Sequence, residues 1–98
     1  MYLKISEREG HRVVAVCDKD LLGKVFTQGK AVLDLQKYAY FYKGDIAGVE
    51  EVTEALSDFS SANLVGKKAV GTAIVLGLAE KSEVKEIASI PHLQLYKL

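Results

Sequence analysis

The sequence predicts an α+β fold, a two-layer sandwich in which two consecutive helices pack on a mostly antiparallel sheet. Strand-like patterns fill both ends of the chain, at 2–17 and 83–98, and helical patterns are confined to 49–79. Grouping of strands and helices favours this class over an alternating parallel-sheet fold. Since the 98 residues are 49% hydrophobic and 27% charged, we expect one domain over 1–98.

The first 35 residues predict two hairpins. Tyr2–Arg8 and His11–Cys17 read as strands, the second rich in β-branched residues. Val25–Gln28 and Ala31–Leu35 flank a glycine and predict a second, less regular hairpin. Between them Asp18–Lys24 carries capping residues and a glycine, which indicates a turn or one helical turn.

Residues 38–42 alternate tyrosines with other residues, which predicts a strand. In that strand Tyr38, Tyr40 and Tyr42 form an outer row between Lys37 and Lys43. Tyrosine rings beside positive charge are the surface on which single-stranded nucleic acid stacks. Tyrosines also stabilise sheets by cross-strand pairing, so a purely structural role stays open.

Two helices and two strands complete the chain. Four apolar residues recur at helical spacing and predict an amphipathic helix: Val49, Val52, Leu56 and Phe59. Leu64–Ala79 predicts a second, central helix that Asn63 caps. Glu83–Ile90 and His92–Leu98 predict strands separated by Pro91, and the last strand could also pair with its twin in a homodimer.

Charge is balanced overall but not along the chain. Thirteen Lys and Arg residues against thirteen Asp and Glu residues give zero net charge, which argues against a globally basic nucleic-acid binder. Residues 44–62 hold five acids and no base: Asp45, Glu50, Glu51, Glu54 and Asp58. The remainder is therefore mildly basic, and any electrostatic targeting must be local.

Cysteine content and the amino-terminal pattern indicate a cytoplasmic protein. Cys17 is the single cysteine, which excludes an intramolecular disulfide and a zinc site built on paired cysteines. The first residues do not resemble a signal peptide, and no uncharged run approaches the roughly 18 residues of a membrane span. We expect no membrane association.

Gly66-Lys67 fails as a phosphate-binding P-loop, because Ser61 stands at the first glycine position and Lys68 at the hydroxyl position. We expect no cofactor and no metal. A weaker anion site is open if Asn63 caps a helix beside the two lysines. Two solvated lysines are the alternative.

Other function classes stay open. Cys17 with Asp18 and with His11 or His92 could form a nucleophile, base and orienting carboxylate, although a cysteine that ends an apolar strand is usually a core residue. The acidic helix could instead dock on a protein as an adaptor. Whether the chain is an enzyme is undecided by these patterns.

Several motifs resemble a known family. They are residues 13–24 (VVAVCDKDLLGK), 41–44 (FYKG), 61–67 (SANLVGK) and 90–94 (IPHLQ). In this order they resemble the small archaeal family catalogued as domain of unknown function 424. The resemblance implies an archaeal cytosolic protein with an α+β two-layer fold and an association with translation, and it supplies no catalytic residues.

The motif positions suggest a site where two loops converge. Asp20-Leu21-Leu22-Gly23-Lys24 echoes Asn63-Leu64-Val65-Gly66-Lys67, each an Asx, two aliphatic residues, a glycine and a lysine. The predicted ligand-binding residues are Asp18, Asp20, Gly23, Lys24, Asn63, Gly66 and Lys67. We expect the lysines to meet an anion, which favours a non-enzymatic binding module for RNA or a ribonucleoprotein over a small enzyme or phosphate-ligand protein using Cys17.

Overall fold

A six-stranded sheet runs through the molecule in a computed structural model that describes residues 1–97. Its strands lie in the order β5-β1-β2-β6-β8-β7, and within 1–97 the one parallel pair is β2 with β6. A separate hairpin, β3 with β4, lies against one face. The strands are β1 (Tyr2–Arg8), β2 (His11–Cys17), β3 (Val25–Gln28), β4 (Ala31–Asp34), β5 (Asp45–Ile46), β6 (Ser61–Val65), β7 (Lys85–Ile87) and β8 (Ile90–Tyr96).

Three α-helices accompany the strands: α1 (Ala39–Tyr42), α2 (Val49–Ala55) and α3 (Lys67–Val75). Single 3₁₀ turns occur at Lys19–Leu21 and Lys81–Glu83. The α+β class is confirmed, as is each predicted hairpin. The two larger helices are not consecutive, because β6 enters the sheet between them.

Each sheet face has its own core. On the helix face, Val14, Val16, Leu64 and Leu93 pack against α2 and α3. On the hairpin face, the side chains that point to the other side of the same strands pack against the β3–β4 hairpin and α1. This second core includes Ala15, Cys17 and Val65 of the sheet, Leu33 of β4 and Tyr42 of α1. Because side chains alternate along a strand, neighbouring residues of β2 and β6 belong to different cores.

The predicted strand at 38–42 is wrong, because these residues form α1. Asp34 begins the turn before it, where its carboxylate accepts hydrogen bonds from the backbone amides of Gln36 and Lys37 at 3.1 and 2.8 Å. Phe41 and Tyr42 then both contact the hairpin-face core, with their rings in an edge arrangement at 5.0 Å. Two adjacent inward side chains fit a helical turn and not a strand.

The predicted helix from Leu64 to Ala79 is wrong in its first turn and too long. Ser61–Val65 forms β6, the buried strand beside β2, and the helix covers Lys67–Val75. Asn63 therefore lies inside a strand and does not cap the helix. Only Leu64 and Val65 of β6 fall within the predicted helix, and two adjacent apolar residues cannot show whether they end a strand or begin a helix.

Two smaller expectations also change. Helix α2 ends at Ala55, and Val49 is 60% exposed and not on the buried side with Val52 and Leu56. Pro91 lies within β8, opposite Glu86, because the β7–β8 turn is made by Ala88 and Ser89, both at positive φ. Leu98, the end of the predicted last strand, lies outside the described residues.

Candidate functional site

The first of the two predicted loops begins with a buried carboxylate that holds helix α3. Asp18, directly after β2, accepts hydrogen bonds from the backbone amides of Lys68 and Ala69 at 3.0 and 2.9 Å. Its own amide donates to the carbonyl of Val65 at 2.9 Å. A carboxylate at a helix amino terminus satisfies amides that otherwise lack partners and interacts favourably with the helix dipole.

Gly66 is required where the two loops meet. Its φ is +106°, and a Cβ there would lie 2.3 Å from the Asp18 carboxyl carbon. Glycine alone combines this conformation with so close an approach. The first amides of α3 are therefore occupied by the protein's own Asp18, and the anion site predicted at this helix terminus is already filled.

The loops do converge, around an open space of about 700 Å³ that we call the lysine cleft. It is lined by Asp18, Lys19, Asp20, Leu21, Gly66, Lys67, Lys68, Ile90 and Pro91. Three lysines face two carboxylates, one of which is the buried, hydrogen-bonded Asp18. The cleft is thus locally basic.

Other predicted loop residues lie elsewhere. Gly23 and Lys24 are exposed in the turn before β3 and do not line the lysine cleft. Asn63 lies on the hairpin face of the sheet, away from the cleft lining. The sequence echo is not a structural repeat, because its first copy is a 3₁₀ turn and its second is a strand leading into a helix.

A second concavity, which we call the tyrosine groove, occupies about 380 Å³ where the hairpin face is left open. It is lined by Val32, Leu33, Asp34, Leu35, Tyr38, Tyr40, Phe41, Tyr42, Asn63, His92 and Gln94. Tyr38 and Tyr40 are exposed and their ring centroids are 6.4 Å apart, whereas Tyr42 is buried. Two of the three predicted stacking tyrosines are therefore accessible, Tyr38 directly before α1 and Tyr40 within it.

Polar side chains of the sheet form the floor of the tyrosine groove. Asn63 on β6 and Gln94 on β8 are direct cross-strand partners, so their carboxamides lie on the same face. Lys4, Ala15 and Asn63 continue the same row across β1, β2 and β6. The Lys4 ammonium donates a hydrogen bond to the carbonyl of Tyr40 at 2.6 Å, which ties α1 to the sheet.

His92 adds an unsatisfied polar atom to the groove. Its Nε2 is buried and has no hydrogen-bond partner within residues 1–97. Burial, followed by the nearby charge of Lys85, lowers the pKa of His92 below 6.5, so the imidazole is neutral at pH 7. Leaving such an atom unpaired costs about 1–3 kcal/mol, so His92 is a locally unfavourable part of the groove lining.

Positive charge also lies at the groove entrance. The Lys37 ammonium is 5.5 Å from the centroid of the Tyr38 ring, a cation–π distance. Lys85 is the cross-strand partner of His92. Aromatic rings and carboxamides thus line one concavity, and Lys37 and Lys85 each neighbour one of its lining residues.

Gln94 is a groove residue that the sequence analysis missed. In β8 the polar residues His92, Gln94 and Tyr96 alternate with the core residues Leu93 and Leu95. That alternation is visible in the sequence and is typical of a strand with one uncovered face. It could have revealed the polar floor.

Cys17 does not have the surroundings of a nucleophile. The thiol is buried, and this burial, together with the charges of Asp18 and Asp20, raises its pKa from 9.0 to about 12. Cys17, Val65 and His92 are successive register partners, so a whole strand separates thiol from imidazole, roughly 10 Å at normal strand spacing. His11 lies at the opposite end of β2.

Comparison with known proteins establishes the family. The family described as Protein of unknown function (DUF424) matches residues 6–98. The chain belongs to this family. The predicted resemblance is confirmed.

A solved structure shows the same fold. The chain is similar to the crystal structure of an uncharacterized conserved protein from Methanopyrus kandleri, with 27% sequence identity and a TM-score of 0.79. The match covers 97% of this chain and 89% of the other. A search of curated proteins gives no match.

Two further features are absent from residues 1–97. None of their helices is long and apolar enough to cross a membrane. Within the same residues no cluster of three or more His, Cys, Asp or Glu side chains could hold a metal ion.

Proposed function

We propose that this DUF424 protein is a non-enzymatic binding module for single-stranded RNA, either free or exposed in a ribonucleoprotein. The tyrosine groove carries the proposal, since it combines two exposed tyrosines with a floor of hydrogen-bonding carboxamides. Proteins recognise unpaired RNA bases by stacking them on aromatic rings and bonding their edges. We infer that one or two bases enter this groove.

The lysine cleft supports a role in holding the RNA backbone. Ile90 lines the cleft and His92 lines the groove, and the two residues belong to the same strand. At about 3.3 Å per residue these two lining residues lie roughly 7 Å apart along β8, so the cleft and the groove are neighbours on the surface. We expect the RNA backbone to run from the groove toward Lys19 and Lys67.

The enzymatic alternative has less support. A buried thiol with a raised pKa is a poor nucleophile at pH 7. No base lies beside it within residues 1–97, where its one side-chain hydrogen bond is to the Asp18 carbonyl at 3.4 Å. The thiol is free, which suits a reducing compartment such as the cytoplasm.

The proposal is tested by fluorescence anisotropy with a labelled single-stranded RNA of about 12 nucleotides, within the usual site size for such proteins. Tyr40→Ala should raise the dissociation constant by about 5- to 100-fold, the range expected for loss of one stacked base. Tyr96→Ala is the matched control, because Tyr96 is 70% exposed, Tyr40 is 67% exposed, and Tyr96 does not line the groove.

Contacts with the RNA backbone are tested by varying the salt concentration and by substituting lysines. Binding should weaken as salt rises, because each phosphate contact releases counterions. Lys19→Ala and Lys67→Ala should reduce the salt dependence, whereas Lys24→Ala, outside the cleft, should leave it unchanged. Absent binding, or equal loss in Tyr40→Ala and Tyr96→Ala, would overturn the proposal.

A further inference from the structure

The outer surface of α2 and α3 carries apolar side chains that no other part of residues 1–97 covers. Val75 is 87% exposed and Val49 is 60% exposed. Both line a shallow space of about 360 Å³ between the helices, the α2–α3 groove, together with Thr53, Lys67, Lys68, Gly71, Thr72 and Leu76. Large apolar side chains gathered along one groove mark an interaction surface.

Gly71 is unexplained by the packing of its own chain. It lies inside α3, where glycine is less stable than alanine. Nothing lies within 4 Å of the position that its Cβ would occupy, so alanine would fit there without collision. The missing side chain leaves room for another molecule to approach the helix backbone closely.

The two helices that border the α2–α3 groove carry opposite charges. Glu50 and Glu54 lie on the outer side of α2, each one 100° step beyond the groove residue that precedes it, Val49 or Thr53. Lys67 and Lys68 form the first turn of α3. The exposed side of α2 is thus acidic and the first turn of α3 is basic, and the apolar residues Val49, Val75 and Leu76 line the groove between the two helices.

We propose that a second copy of this chain docks on this surface, related by a two-fold axis parallel to the groove. Such an axis places α2 of each copy over α3 of the other, so each glutamate pair meets a lysine pair and Val49 faces the open space at Gly71. The surface is self-complementary in charge, as a two-fold interface requires. The inference does not rest on RNA binding, although Lys67 lines both this groove and the lysine cleft, so an RNA backbone and a second copy would compete for that side chain.

Analytical ultracentrifugation of the full chain without RNA tests it, at concentrations up to about 1 mM, which detects even weak dimers. The native protein should form a dimer, and Val75→Glu should weaken it at least tenfold. Val25→Glu is the matched control, since Val25 is also an exposed valine but lies on β3, away from the groove.

Paired charge reversal gives the sharper test. The variants Glu50→Lys/Glu54→Lys and Lys67→Glu/Lys68→Glu should each dimerise at least tenfold more weakly, because like charges then face each other. An equimolar mixture should form a heterodimer as stable as the native dimer, since both contacts regain opposite charges. A native chain that is monomeric throughout, or a dimer unaffected by these changes, would overturn the proposal.

Discussion

The two faces of the central sheet are covered to different extents. On the helix face, α2 and α3 pack over Val14, Val16, Leu64 and Leu93. On the hairpin face, β3, β4 and α1 cover Cys17 and Val65, but Asn63 and Gln94 stay accessible. The comparison indicates a division of roles, in which the helix face stabilises the fold and the open part of the hairpin face is free to bind.

The largest expected effect contrasts one residue from each face. Leu64→Ala should lower the free energy of unfolding by about 2–5 kcal/mol, because Leu64 is fully buried on the helix face. Gln94→Ala, in the open groove floor, should change it by no more than about 0.5 kcal/mol. Urea unfolding measures both, and a similar loss in the two variants would contradict the division of roles.

A smaller effect is expected where the loops meet. Asp18→Ala removes two hydrogen bonds to the amides of α3 and should cost about 1–3 kcal/mol, measured by thermal or urea unfolding. Asp20→Ala is the control, since Asp20 is exposed in the same segment. This substitution should change the free energy of unfolding by less than about 0.5 kcal/mol. If the two variants lost equal stability, the Asp18 carboxylate would not be what holds α3.

The smallest effect concerns pH. The pKa of the Cys17 thiol is raised by burial from 9.0 to about 12, so above pH 9 the unfolded chain ionises before the folded one. The contribution of this thiol to the free energy of unfolding is fully present below pH 9 and is lost as the pH rises toward 12. About 1.4 kcal/mol of it is lost at pH 10. The free energy of unfolding, measured with urea at pH 8 and pH 10, should differ less between the two pH values in Cys17→Ala than in the native protein. An unchanged difference would show that the thiol is not shielded by the hairpin face.

Local sequence patterns predict the elements that local interactions decide. Both hairpins were predictable because each pairs neighbouring strands across a glycine-containing turn. The start of α3 was not, because its amides are capped by Asp18, about fifty residues earlier, and not by a neighbour such as Asn63. A cap supplied from so far along the chain leaves no local signal.

The candidate site was predicted in part for the same reason. The approach of the Asp18 and Gly66 loops was predicted from the sequence echo and the family resemblance, and the stacking role of the tyrosines at 38–42 from their alternation between two lysines. Their placement was not predictable, since a four-residue helix is too short to show helical periodicity. Its position depends on Tyr42 packing into the distant hairpin-face core.

An NMR titration of the ¹⁵N-labelled protein with single-stranded RNA tests the central claim most directly. The side-chain amide signals of Asn63 and Gln94 should shift progressively, together with the backbone signals of Tyr38 and Tyr40. Signals of α2 and the helix-face strand positions should stay in place. Shifts confined to the helix face, with the two carboxamides unchanged, would contradict the assignment of binding to the open part of the hairpin face.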